Sequence, residues 1–149
     1  MSVFDKIHHI CIVVHDIDKA RAYYESIGVG PWREYPPLVE YTDLQVPNRD
    51  AFLKMRYQIC DLPTIQLQLC EPPREDCPQR RFLDTKGEGV FHIGFEVPDC
   101  DAGEAEAAAR GLKPQMRGRR SNGSGFTYFD TADEAGVVLE IRATPSGGR

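Results

Sequence analysis

The sequence has 149 residues, enough for one domain or for two half-domains that share a core. Lys and Arg total 18 against 23 Asp and Glu, so the formal net charge is −5, and no basic cluster predicts a nucleic-acid surface. No apolar run approaches the ~20 residues that span a bilayer, and the first residues lack the basic-then-apolar plan of a signal peptide. The five cysteines form no CxxC pair, so we expect reduced thiols. These features predict a cytoplasmic protein without nucleic-acid or membrane partners.

The chain contains an internal repeat with an offset of 83 residues. The segment HICIVVHDID at 9–18 can be laid over HIGFEVPDCD at 92–101, and one His, one Ile, one Val and two Asp coincide. Each copy predicts an alternating strand, a turn with helix-capping aspartates, and then a helix. The first helix is predicted over 19–26 and the second over 102–110, and a glycine follows each of them closely.

Strand-like segments follow each predicted helix. They cover 32–39, 52–60 and 64–71 in the first half, and 113–119, 126–130 and 136–142 in the second. The proline-containing segment 71–89 predicts a linker, and the tail 144–149 is expected to be frayed. The predicted fold class is α+β, with two βαβββ modules forming a curved mixed sheet in one domain. We place this domain at 1–149, with module 1 at about 7–72, the linker at about 73–89 and module 2 at about 90–143.

Four of the predicted strands share one alternating pattern. One row of each strand is purely apolar, and we expect these rows to pack under the two helices. The opposite rows carry ionisable or amide groups among small or apolar neighbours, whereas a solvated sheet face is usually rich in Lys, Glu, Thr and Ser. These rows therefore predict a concavity. Its polar side chains, one from each strand, are His9, Gln68, His92 and Glu140.

Two imidazoles, one amide oxygen and one carboxylate form a ligand set suited to a divalent ion such as Zn, Mn, Co, Ni or Fe(II). One anionic ligand would leave open positions for water or substrate. Each residue alone could also be an isolated polar group on a partly wet sheet, but the shared parity favours a metal site. His8 shares the parity of the helix-facing row and His15 follows the strand, so neither is predicted to be a ligand.

These segments resemble the vicinal oxygen chelate superfamily, which includes glyoxalase I, methylmalonyl-CoA epimerase, extradiol dioxygenases and bleomycin resistance proteins. The resemblance implies paired βαβββ modules around a metal ion, and the order His, Gln, His, Glu looks most like the epimerase branch. It also favours a homodimer, because relatives cover the edges of such short sheets with a second copy. The matching segments are IHHICIVV (7–14), DIDKA (16–20), IQLQLCEP (65–72), GEGVFHIGF (87–95) and GVVLEI (136–141).

The resemblance implies an enzyme: a metal-dependent epimerase, isomerase or lyase that transfers a proton next to a carbonyl. Its substrate would be a small molecule, either an acyl-thioester or a 2-keto or 2-hydroxy acid. Glu140 and Glu96 are the candidate catalytic bases, although Glu96 could instead pair with Arg142. An Fe(II) ring-cleaving dioxygenase and a non-catalytic small-molecule-binding protein are the alternatives.

One stretch departs from the epimerase pattern. Those enzymes usually carry a candidate base, a glutamate, on the third strand of the first module, and the corresponding segment 52–59 has no carboxylate. Lys54 and Arg56 share parity in this segment, and they either bind an anionic substrate or are solvated charges.

Overall fold

The computed structural model describes residues 2–144, and only part of the predicted frayed tail, residue 144, falls within this range. No helix in this range has the length and apolar character needed to cross a membrane. The strands are β1 (Ile7–Val13), β2 (Arg33–Glu34), β3 (Asp43–Gln45), β4 (Arg56–Asp61), β5 (Gln66–Glu71), β6 (Gly89–Glu96), β7 (Pro114–Arg119), β8 (Gly125–Phe129) and β9 (Val138–Ala143). The helices are α1 (Ile17–Ser26), α2 (Arg49–Leu53), α3 (Pro78–Lys86), α4 (Cys100–Ala109) and α5 (Ala132–Ala135), with a 3-10 turn at Leu38–Glu40.

The strands form one curved, open sheet in the order β2-β4-β5-β1-β6-β9-β8-β7-β3. In each half the first strand pairs parallel with the last: β1 with β5, and β6 with β9. The other neighbours within each half are antiparallel, and the halves join through antiparallel pairing of β1 with β6. This arrangement confirms the predicted α+β class with two βαβββ modules.

The helices α1 and α4 begin at the aspartates that the repeat predicts. The Asp16 carboxylate accepts a hydrogen bond from the backbone of Lys19, and Asp99 caps α4 in the same way. Both helices cover the convex side of the sheet, where the predicted apolar rows lie. Ile12 and Leu69 pack with Ile17 of α1, whereas the cluster under α4 contains Val97, Ile141 and Phe129.

The predicted linker is not simply a linker, because it contains helix α3. Pro78 occupies the first turn of this helix, where its missing N–H would have no partner in any case. Gly87 ends the helix with φ of +83°, a backbone conformation that side chains other than glycine rarely adopt. Pro78 and Gly87, nine residues apart, were therefore the sequence signals for the start and the end of a helix within the segment.

Two of the predicted strands are shorter than expected. The segment 32–39 is extended only at Arg33–Glu34, because Pro36 and Pro37 cannot donate to a strand ladder. The segment 52–60 begins inside α2, whose first turn is capped by the Asn48 side chain, and strand β4 starts only at Arg56. Strand β3 was not predicted.

Strand β3 belongs to the first half of the chain but forms the outer edge of the second half of the sheet. β2 lies at one edge of the sheet, whereas β3 lies at the opposite edge, paired with β7. The chain therefore crosses from one edge to the other after β2 and returns before β4. We call residues 35–55 the crossing segment. Tyr41 and Phe52 of this segment pack against Phe126 of β8, so the segment covers the concave face.

Candidate metal centre

The four residues predicted to form a metal site lie on four adjacent central strands. Gln68 is on β5, His9 on β1, His92 on β6 and Glu140 on β9, and each is at most 5% exposed. The strand register aligns them, because Gly94 lies opposite both His9 and Glu140. Strand pairing thus brings residues from both modules to the centre of the concave face.

Three side chains converge on one point. The Nε2 atom of His9 lies 2.9 Å from Nε2 of His92 and 2.7 Å from Oε1 of Glu140. The remaining separation, from His92 Nε2 to the same carboxylate oxygen, is 3.7 Å. Ligand atoms of the three groups all lie within 4.8 Å of one another, a geometry that could hold a metal ion.

Burial controls the protonation of this cluster. Burial, together with the nearby positive charge of Arg142, lowers the pKa of His9 to about 3. Burial also lowers the pKa of His92 to about 3, against the attraction of Glu140. The pKa of Glu140 is raised to about 7 by burial, with His92 and Arg142 acting in the opposite direction. At neutral pH both imidazoles are therefore uncharged, the form in which histidine binds a metal.

The converging atoms have too few protons for a complete hydrogen-bond network. A neutral imidazole carries one N–H, so His9 Nε2 can donate to only one of its two close neighbours at a time. The His92 Nδ1 atom is buried without a hydrogen-bond partner. Oε1 of Glu140 is also buried and accepts no hydrogen bond of good geometry, although it lies close to His9. Lone pairs that face each other in a buried space are what a divalent ion satisfies, so these residues fit such an ion.

Glycine at position 94 makes room for this convergence. A Cβ atom there would collide with His9 Cε1 and would lie 2.5 Å from Glu140 Oε1. The backbone of β6 can thus pass directly beneath the two ligands. This is a close-approach role for glycine and does not depend on an unusual φ angle.

Gln68 lines the same cavity as His9 and Glu140. Its Nε2 donates to Gln66 Oε1 at 2.8 Å, and Gln66 Nε2 in turn donates to Asp61 Oδ1 at 2.9 Å. This chain of hydrogen bonds ends at a carboxylate, which can only accept when ionised, so it fixes the direction of both amides. The amide oxygen of Gln68 is left for the cavity, the atom that a divalent ion would use.

The structure does not bring Glu96 to this cluster. Its Oε1 atom accepts a hydrogen bond from Arg142 Nη1 at 3.3 Å, the alternative that the sequence raised. The same guanidinium group contacts Nε2 of His8 at 2.8 Å. His8 Nδ1 lies 2.8 Å from His9 Nδ1, so His8 is a neighbour that orients a candidate ligand.

Lys54 and Arg56, the cations that the sequence offered for binding an anionic substrate, do not line the cavity. Lys54 pairs with Glu75 at 3.1 Å and Arg56 with Asp18 at 3.1 Å, and all four side chains are well exposed. Both cations are therefore solvated charges in surface ion pairs. The cation that does line the cavity is Arg120, in the turn after β7, and the sequence did not predict it.

A cavity that is partly open to solvent extends from the cluster. Its wall is strongly aromatic, with residues from the crossing segment and from strands β4 and β8. Burial holds the pKa of Tyr57 and Tyr128 well above the ordinary value, so these phenols act as hydrogen-bond donors and not as bases. The aromatic and aliphatic residues of the wall are Tyr35, Leu38, Tyr41, Phe52, Tyr57, Phe126 and Tyr128.

The sequence of the chain matches a known family. Residues 8–129 match the profile of the Glyoxalase/Bleomycin resistance protein/Dioxygenase superfamily, and the chain belongs to that superfamily. It is 26% identical to the uncharacterised protein YqjC of Bacillus subtilis, with 92% of this chain and 91% of that protein covered. It is 24% identical to human mitochondrial methylmalonyl-CoA epimerase, with 91% of this chain and 72% of that protein covered.

Solved epimerase structures share the fold. A Streptomyces coelicolor methylmalonyl-CoA epimerase variant in complex with 2-nitronate-propionyl-CoA superposes with a TM-score of 0.71 and 28% identity, covering 95% of this chain and 98% of that one. The Mycobacterium tuberculosis methylmalonyl-CoA epimerase gives a TM-score of 0.70 at 23% identity, covering 98% and 93% of the two chains. The curved open sheet is the vicinal oxygen chelate fold of these neighbours.

Proposed function

We propose that this protein is a divalent-metal-dependent enzyme that transfers a proton at a carbon next to a carbonyl group, in an epimerase, isomerase or lyase reaction. The observation that carries the proposal is the convergence of His9, His92 and Glu140 at the base of a partly open aromatic cavity. The relatives named as methylmalonyl-CoA epimerases support an acyl-thioester as the first substrate class to test, followed by 2-keto and 2-hydroxy acids.

We assign the metal to His9, Gln68, His92 and Glu140. A bound divalent ion would polarise the substrate carbonyl and stabilise the oxyanion that forms when the neighbouring C–H loses its proton. The ion can be Zn, Mn, Co, Ni or Fe, because the neutral imidazoles, the amide and the carboxylate suit all of them.

The residues of the chain supply the remaining functions. Oε1 of Glu140 faces the histidines, and we assign proton transfer to its second oxygen, Oε2. The protonated phenols of Tyr57 and Tyr128 can donate hydrogen bonds to a substrate oxygen. The crossing segment covers part of the cavity and reduces its exposure to bulk water, which strengthens each of these polar interactions.

The test is proton–deuterium exchange in deuterated water. Protein loaded with Co(II) or Mn(II) is incubated with small acyl-thioesters and with 2-keto and 2-hydroxy acids, and deuterium incorporation is followed by mass spectrometry. We expect incorporation that disappears in Glu140→Gln, with metal content measured in the same samples. Glu134→Gln, a change of the same charge on the short helix α5, should exchange like the wild type. Exchange that persists in metal-containing Glu140→Gln would remove Glu140 as the base.

A second candidate is an Fe(II) ring-cleaving dioxygenase. Two histidines and one carboxylate are the ligand set of non-haem iron oxygenases, and that trio converges here. Oxygen consumption by Fe(II)-loaded protein with a catechol, without deuterium exchange, would favour this candidate. Metal binding with neither reaction would favour a non-catalytic small-molecule-binding protein.

We also propose a homodimer, because the sheet is open and a second copy would cover its edges at β2 and β3. Light scattering should give twice the chain mass of 16.8 kDa. A particle with the mass of a single chain would contradict the dimer.

A further inference from the structure

We propose that the mouth of the cavity is an anion-binding subsite centred on Arg120. The substrate would then carry an anionic oxygen group, a carboxylate or a phosphate, in addition to the oxygens that chelate the metal. This inference rests on the proposed function for the chemistry, but the subsite itself is defined by residues outside the metal cluster. It would make a neutral aldehyde or ketone a poor substrate.

Arg120 lies where two cavities meet. It lines the aromatic cavity above the candidate metal cluster and also an outer cavity that is partly open to solvent. Tyr35 and Arg142 line both cavities as well, so the two cavities are direct neighbours. A ligand that reached from Glu140 into the outer cavity would lie beside the side chain of Arg120.

The guanidinium group of Arg120 is held in place but is poorly paired. Its Cζ atom lies 4.2 Å from the centre of the buried Tyr41 ring, a cation–π contact, and its side chain is only 16% exposed. Among residues 2–144 it donates no side-chain hydrogen bond, and its ion pair is a 3.6 Å contact with Glu40, whose side chain is 53% exposed. Such a pair contributes little stability, so a ligand anion can replace it at small cost.

The other cations at the mouth are already neutralised. Arg33 donates two hydrogen bonds to Asp61, and Arg142 pairs with Glu96. Arg120 is therefore the group with unused donors, and a planar guanidinium can bind a carboxylate or phosphate through two parallel hydrogen bonds.

The turn between β7 and β8 fixes Arg120 and adds a neutral donor. The backbone N–H of Arg120 donates to the Ser124 carbonyl at 2.8 Å, and the Gly123 N–H donates back to the Arg120 carbonyl at 3.0 Å. The side-chain oxygen Oδ1 of Asn122 accepts hydrogen bonds from both the backbone N–H and the hydroxyl of Ser124, so the two hydrogens of Asn122 Nδ2 are left for the outer cavity. An anion at Arg120 would thus find a second donor on a rigid hairpin.

The test measures anion binding by calorimetry on metal-free protein, so that failure of the metal chemistry cannot mask the result. The probes are succinate and inorganic phosphate, with neutral succinamide as the ligand control. We expect at least one anion to bind, succinamide not to bind, and Arg120→Gln to weaken anion binding about tenfold or more, because a charge-assisted hydrogen-bond pair is lost. The tighter of the two anions identifies the group.

The matched control is Arg110→Gln, which removes the same charge from the exposed end of α4. It should bind anions like the wild type. Arg120→Lys keeps the charge but loses the planar fork, and we expect a loss of at least about threefold; this variant decides the question if Arg120→Gln shows a disturbed circular dichroism spectrum. Absence of anion binding to the wild type, or equal binding by the Arg120 variants, the Arg110 control and the wild type, would overturn the proposal.

Discussion

The Nε2 atoms of His9 and His92 lie 2.9 Å apart, although 83 residues separate the two histidines in the sequence. They occupy equivalent positions in the repeat, and the strands that carry them, β1 and β6, pair at the centre of the sheet. The duplication therefore brings two copies of one residue to a single point, and Glu140 adds a carboxylate from the neighbouring strand. The two modules contribute to one site.

The first prediction concerns these two histidines. We expect His9→Ala or His92→Ala to abolish stoichiometric binding of a divalent ion, because each removes one of three converging ligand atoms. His8→Ala should weaken binding by about tenfold, since it removes a neighbour that orients a ligand. His15→Ala, in an exposed turn, is the control and should bind like the wild type. Elemental analysis after metal loading and gel filtration measures the outcome, and full occupancy in either His9→Ala or His92→Ala would disprove the assigned ligand set.

A second prediction follows from the close approach at position 94. Gly94→Ala should lose metal binding while it keeps its secondary structure, because the added methyl group would occupy the space of His9 and Glu140. Gly89→Ala on the same strand has open space around the new Cβ, with the nearest atom, in Phe82, 4.0 Å away, and should bind metal normally. Metal content and circular dichroism of both variants decide the matter. Normal binding by Gly94→Ala would show that the cluster is looser than described.

A third prediction is the pH dependence of metal affinity. The pKa of about 7 for Glu140 means that this carboxyl must lose a proton on binding below neutral pH, whereas the histidines, with pKa values of about 3, are already neutral. Affinity should therefore rise about tenfold per pH unit up to about pH 7 and then level off. Competition titrations with a chromophoric chelator measure this slope. A rise of a hundredfold or more per pH unit would mean that at least two protons are released, so that a histidine also titrates.

A fourth prediction concerns stability away from the site. Glu104 on α4 accepts hydrogen bonds from Arg117, Arg119 and Thr127 at 2.9, 3.1 and 2.6 Å. Burial opposes ionisation of Glu104, but these hydrogen bonds and charges outweigh it and lower its pKa. Glu104→Gln should therefore lower the free energy of unfolding at pH 7 by about 2 kcal/mol.

The sign of the acid response follows from the same shift. A depressed pKa means that the stabilisation by Glu104 is present above the ordinary value of 4.5 and is lost as the pH falls through the lower, folded-state pKa. Urea denaturation at several pH values should thus show a shallower acid loss in Glu104→Gln. Glu106→Gln removes an exposed charge from the same helix and should change the stability by less than about 0.5 kcal/mol. Equal effects of the two substitutions would show that the hydrogen bonds that Glu104 accepts do not stabilise the fold.

The strands and the polar rows could be predicted from the sequence because both depend on a period of two residues. His9 and His92 occupy the same position in two copies of one motif, each in the polar row of its strand. They come together once the strands of the two copies pair. The sequence could not show that Glu96, on the same row as His92, is engaged by Arg142 and does not reach the cluster. That outcome depends on the side-chain directions of two adjacent strands.

The crossing segment was beyond prediction for another reason. Its path is determined by contacts such as Phe52 on Phe126, whose ring centres lie 5.7 Å apart although 74 residues separate them. No local periodicity reports such a contact, and a three-residue strand like β3 carries almost no signal of its own. The prolines at 36 and 37 and the capping Asn48 were the local signs that this region is not continuous strand.

The crossing segment breaks the symmetry that duplication created. The candidate metal ligands come from both modules, whereas Tyr35, Leu38, Tyr41 and Phe52 of the cavity wall come from one uninterrupted stretch of the first, residues 35–55. Insertions, deletions or exchanges in the parts of that stretch outside β3 would reshape the ligand chamber and leave unchanged the four strands that carry the candidate ligands. Evolution, or a protein engineer, could thus retune selectivity by transplanting a single peptide of about twenty residues while the duplicated scaffold and its ligands stay in place.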